Sequence, residues 1–143
     1  MANPVVYREQ VLDALRTLPG ITVYDGYVPE RVPEDEAGYV LPYVVFFAGE
    51  GGEVGGGTPE RDLSNQVDLD GLEWDFQTTA VGASPGVCTQ VARAVTLRVA
   101  NLPLGTSHVV PNPDGFTVPA PFRDSSETPA RFLLPRQWRL ATT

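Results

Sequence analysis

Nucleophilic catalysis needs a Ser or Cys held against a base, and this chain offers Ser107 beside His108, its one histidine, together with its one cysteine, Cys88. No Gly-x-Ser-x-Gly elbow surrounds Ser107, so the pair reads as polar residues at a strand end. Cys88 falls on the apolar stripe of a predicted helix, where a buried thiol is ordinarily packing. The stretch Gly49–Thr58 holds six glycines in ten residues and invites a phosphate-loop reading. It has no G-x-G-x-x-G register, no lysine follows it, and Glu50 and Glu53 would face the phosphate. A flexible surface loop that orders on a partner is the better expectation.

Asp68, Asp70, Glu73 and Asp75 are dense enough to imitate a metal site, yet Asp68-x-Asp70-Gly71 lacks the third ligand and the bidentate Glu of a calcium loop. A glycosidase needs two carboxylates across a cleft, which one strand does not display. The acids therefore read as a solvated face, and no metal or cofactor is expected. Arg93, Arg98, Arg131, Arg136 and Arg139 would hold phosphate in a basic protein, but this chain carries a formal charge of −8 and no Lys. Guanidinium forks pairing with carboxylates across a protein interface fit better. The interface candidates are thus Arg93, Arg98, Arg131, Arg136 and Arg139 on one side of the ledger and Glu50, Glu53, Asp68 and Asp70 on the other.

The absence of Lys excludes Schiff-base chemistry, and single Cys and His residues exclude a disulfide framework and a thiolate or histidine metal cluster. No run approaches a membrane-spanning length, and MANPVVYREQ lacks the basic-then-apolar order of a secretory leader. Charge is segregated along the chain: residues 25–75 hold thirteen acids and two Arg, residues 76–143 three acids and six Arg.

The elements that would position these residues follow from periodicity. Asn3-Pro4 starts a helix over about 4–18, with Tyr7, Val11, Leu15 and Leu18 on one face. Ile21–Tyr24 predicts a short strand, Pro29–Gly38 an acidic loop, and Pro42–Ala48 a strand covered on both faces. From Leu72 to Ala80 apolar and polar residues alternate, with a parity break at Gly71. Ser84-Pro85 opens a second helix over about 85–101, striped by Cys88, Val91, Ala92, Val95, Val99 and Leu102. Ser107–Val110 reads as a short strand, and Pro111–Pro129, with five prolines, as an extended loop. The last strand sets Phe132, Leu134, Trp138 and Leu140 on one parity and Arg131, Gln137 and Arg139 on the other. The sum is an α+β fold: one domain over 1–143, a mostly antiparallel or mixed β-sheet packed against two α-helices, with long flexible loops at about 49–66 and 111–130.

In order, lengths and flavour, the segments VLDALRTLPG, LPYVVFFAG, LEWDFQTTAVG, SPGVCTQVARAVTLRVANLPL and RFLLPRQWRLATT resemble the tail terminator proteins of long-tailed (siphovirus) bacteriophages. The resemblance implies a virion protein without catalytic residues, assembled in the host cytoplasm as a hexameric ring at the head-proximal end of the tail. Its partners would be other copies of itself, the tail tube protein and the head–tail connector, with DNA passing through the lumen without specific binding. An acidic and an Arg-bearing half suit the unlike patches of a head-to-tail ring contact, and an acidic lumen would not retain DNA. The alternatives are a head–tail connector or neck protein and, from another class, an acidic DNA mimic that inhibits a DNA-binding enzyme.

Overall fold

The computed structural model describes residues 4–49, 72–105 and 107–142. Asn3 and the parity break at Gly71 lie outside them, as does nearly all of the 49–66 loop. The first helix, α1 (Pro4–Arg16), buries Val11, Leu12 and Leu15 at helical spacing. The second, α2 (Pro85–Val99), is capped by the Ser84 hydroxyl, which accepts from the Val87 amide at 3.2 Å, and buries Cys88, Val91, Ala92, Val95 and Val99. The strands are β1 (Thr22–Asp25), β2 (Tyr43–Ala48), β3 (Leu72–Gly82), β4 (Pro103–Leu104), β5 (Ser107–His108), β6 (Val110–Pro111), β7 (Phe122–Asp124) and β8 (Arg131–Thr142). The main sheet runs β1-β2-β3-β8-β6, with β7 also paired to β8, while β4 and β5 form a small ladder of their own. Among the described residues β1 and β2 are parallel, every other strand pairing is antiparallel and there are two helices, so the fold is α+β with a mixed sheet.

Strand periodicity sorts the side chains onto two faces. Even-numbered Val44, Phe46, Trp74, Phe76, Ala80, Leu134, Trp138 and Leu140 form the main core with α1 and α2. Thr78 is buried among them because its hydroxyl accepts from the Trp138 indole N–H at 2.9 Å. α2 approaches β3 closely at Gly82, where a Cβ would lie 2.6 Å from the Cys88 amide nitrogen.

The odd-numbered face is where the sequence reading needs correcting. The acidic segment after β1 is not a bare loop: it crosses that face and packs Val32 and Val40 against Tyr43, Val45 and Val81 as a second, smaller core. Parallel β1 and β2 require such a return across the sheet. The Pro111–Pro129 stretch is corrected as well, since β7 inside it pairs with β8 from Phe122↔Leu133 to Asp124↔Arg131. Residue 112 also bonds back to the sheet, its amide donating to the Gln137 carbonyl at 3.0 Å.

Candidate functional site

The interface candidates separate once their strands and helices are known. Arg93 and Arg98 are exposed on α2, which carries no acidic residue. The helical repeat places Arg93 beside Leu97 and Thr96, whereas Arg98 points to the opposite shoulder. Arg136 shares the apolar parity of β8 but is exposed, because it emerges beside a groove of about 220 Å³ lined by Thr96, Pro111, Phe116, Val118 and Trp138. Phe116, which lines the groove, is 53% exposed, and Leu97, next to groove-lining Thr96 on α2, is 71% exposed. Arg123, missed in the sequence because β7 was hidden among prolines, pairs in register with Phe132 and so points to the same helix-bearing side. Among the described residues, the side chains of Arg93, Arg98, Arg123 and Arg136 have no ion-pair partner.

Two other arginines among the interface candidates, Arg131 and Arg139, are already engaged within the chain. Arg131, on the parity expected to be wet, is only 5% exposed. Its Nη1 donates to the Tyr43 hydroxyl at 3.0 Å and its Nε to the Pro129 carbonyl at 3.4 Å, because the 26–42 connection covers this end of the face. Burial pushes the Tyr43 hydroxyl upward in pKa, partly offset by the Arg131 hydrogen bond. Arg139 is engaged within the chain: Nε reaches Asp75 at 3.0 Å and Nη1 reaches Asp114 at 2.7 Å, tying β3, β8 and the 112–116 segment together. Glu50, Glu53, Asp68 and Asp70 lie outside the described residues.

The other chemistries considered also acquire positions. Ser107 and His108 are consecutive on β5, so their side chains leave opposite sides of the ladder. Cys88 is buried with Sγ 3.4 Å from the Ala80 carbonyl, and burial pushes its thiol up to about 11, which is packing behaviour. Among the described residues, no three His, Cys, Asp or Glu side chains converge as metal ligands, and no helix is long and apolar enough to cross a membrane.

No protein-family model and no curated protein matches this chain.

The feature that sequence reasoning missed is the hairpin at the end of the 26–42 connection. Glu34 and Val40 form a bridge, the Asp35 amide donates to the Tyr39 carbonyl at 2.8 Å, and the Leu41 amide donates to the Pro33 carbonyl at 3.0 Å. The Asp35 carboxylate accepts from the Ala37 and Tyr39 amides, each at 2.9 Å. Gly38 takes φ +86°, a conformation that side chains resist. The signal was present as Asp35 three residues before Gly38, an Asx-turn pattern concealed by the acidity of its surroundings. The hairpin presents Glu34, Asp35 and Glu36 with exposed Tyr39 and Leu41. It stands on the odd-numbered side, where Asp124 and Glu127 also lie near Arg131 and Tyr43.

Proposed function

We propose that this chain is a non-catalytic structural subunit of a bacteriophage tail, a terminator that assembles with copies of itself into a ring, most simply of six. The ring caps the tail tube, ends its polymerisation and joins it to the head connector. The observation that carries this reading is the opposed placement of charge on one sheet. Arg93, Arg98, Arg123 and Arg136, without ion-pair partners among the described residues, lie on the helix-bearing side, where Glu9 and Asp13 of α1 are paired with Arg8 and Arg16, while Glu34, Asp35 and Glu36 lie with Arg31 on the other. A subunit with two unlike, complementary sides is suited to heterologous contacts, which close into rings when the rotation permits. The resemblance noted in the order and lengths of the segments supplies the tail, the tube and the connector.

The test is deletion of the coding sequence from the phage whose tail it builds, followed by electron microscopy of the lysate. Overlong tails without heads are expected. Tails of normal length left unjoined to heads would replace the terminator reading with that of a neck protein, and normal infectious particles would overturn both.

A further inference from the structure

Resting on the self-assembling reading above, we infer which surfaces meet: the acidic hairpin Glu34–Val40 of one copy seats in the groove between α2 and β8 of the next, against Arg93 and Arg136. Four observations converge. The groove is lined by Arg136, which has no ion-pair partner among the described residues, and by no acid; Arg93 stands one helical turn before its Thr96 on an α2 without acids, and the hairpin carries three consecutive exposed acids, so charges are complementary. Each side also has exposed apolar area: Tyr39, 58% exposed, and Leu41 on the hairpin, Phe116 lining the groove and Leu97 on α2 next to groove-lining Thr96. The groove, at about 220 Å³, accommodates an aromatic ring of the kind Tyr39 presents. The hairpin is already held by its bridge and the Asp35 hydrogen bonds, so little ordering is required when it docks.

The two surfaces cannot satisfy each other within one chain. The hairpin stands over Tyr43, Val45 and Val81, and the groove is formed on the helix-bearing side of the same sheet. The occupant is therefore a second copy, and the contact is head-to-tail: each subunit gives its hairpin to one neighbour and its groove to the other. Tyr39 is the anchor, Arg93 and Arg136 set the approach, and Arg98, on the far shoulder of α2, takes no part.

The contact is tested by sedimentation velocity over a concentration series with two charge-reversed variants of the full chain. One carries Glu34→Arg and Glu36→Arg, leaving Asp35 to hold the turn; the other carries Arg93→Glu and Arg136→Glu. All four positions are exposed, and circular dichroism melts check that both variants fold. Wild type is expected to self-associate, and each variant alone to associate at least about a hundredfold more weakly, as like charges meet. An equimolar mixture is expected to regain association, because a basic hairpin then meets an acidic groove and an acidic hairpin a basic one. Tyr39→Ala, which changes no charge, is expected to weaken association as well. Wild-type association unchanged in both variants would refute this contact and leave self-assembly to another surface. A wild type that stays monomeric at every concentration would also refute it, whereas the tail reading itself is decided separately by tail length in the deletion phage.

Discussion

Arg131 and Arg136 lie five residues apart on β8, and the same substitution at each should have opposite consequences. Arg131 is buried with its Nη1 on the Tyr43 hydroxyl, and Asp124 and Glu127 contribute negative potential nearby. Arg131→Glu removes the donor to a buried phenol and places a carboxylate where it has acidic neighbours. A buried charge stripped of its compensation costs about 3–5 kcal/mol. For a chain of 143 residues that corresponds to a fall in Tm of ~10–20 °C. Arg131→Met, which keeps the length but not the donor, should cost about 1–3 kcal/mol through the unsatisfied hydroxyl. Arg136 is exposed and unpaired, so Arg136→Glu should stay within about 0.5 kcal/mol of wild type. Its effect should appear only in self-association. Thermal unfolding followed by the fluorescence of core Trp74 and Trp138 separates the two outcomes. If Arg131→Glu melted within about 3 °C of wild type, the guanidinium would not be part of the core and the account of this end of the sheet would fail.

Three further expectations concern the packing beneath the proposed interface. Thr78→Val strands the buried indole N–H of Trp138 and should cost about 1–3 kcal/mol by urea unfolding; pairing it with Trp138→Phe should cost less than the two separately, and strict additivity would refute the hydrogen bond. Gly82→Ala puts a Cβ against the Cys88 amide and Val87, so the urea midpoint should fall by an amount equivalent to about 1–3 kcal/mol, and an unchanged midpoint would show that α2 has room to move. The Cys88 thiol is raised from 9.0 to about 11, so the stability it contributes is complete below pH 9 and is lost as pH rises through about 11. Wild type should lose up to about 1.4 kcal/mol per pH unit more than Cys88→Ala across that window, and parallel curves would refute a buried neutral thiol.

The sequence displayed best what repeats within one element. The stripe of α2 and the alternation of Trp74 to Ala80 needed no knowledge of the remainder of the fold, and the structure buries them as their spacing implies. Arg131 was misplaced because parity reports which side of a strand a residue takes, not what lies on that side. Leu133 and Arg131 share a face with Tyr43, and only the 26–42 connection makes that face dry. That connection was illegible because Val32 and Val40, its two buried anchors, are separated by a turn and share no period. The parallel pairing of β1 with β2 was equally hidden, since neither strand names its neighbour. The engagement of Arg139 was hidden for a different reason: its partners Asp75 and Asp114 are 64 and 25 residues away.

Among the described residues, part of the charge split along the chain, the acids of residues 30–36 against Arg93 and Arg98, becomes a split in space through topology. Both helices pack on the even-numbered face, so the return from β1 to its parallel partner crosses the odd-numbered one. The crossing has no helix to shield its backbone and closes instead through a polar turn, and the acids of residues 30–36 travel with it. On the other side, α2 needs apolar residues only where it meets the sheet, leaving its outer positions open to Arg93 and Arg98. Had β1 and β2 been joined by a tight antiparallel turn, the acidic segment would have been confined to one edge, and the chain would lack a second, opposite surface. The mixed sheet is therefore the feature that turns a segregated sequence into a two-sided molecule. A variant that shortened the 33–41 hairpin while retaining Val32 and Val40 should keep its fold and lose its capacity to join a neighbour, a result readable by melting and sedimentation on the same sample.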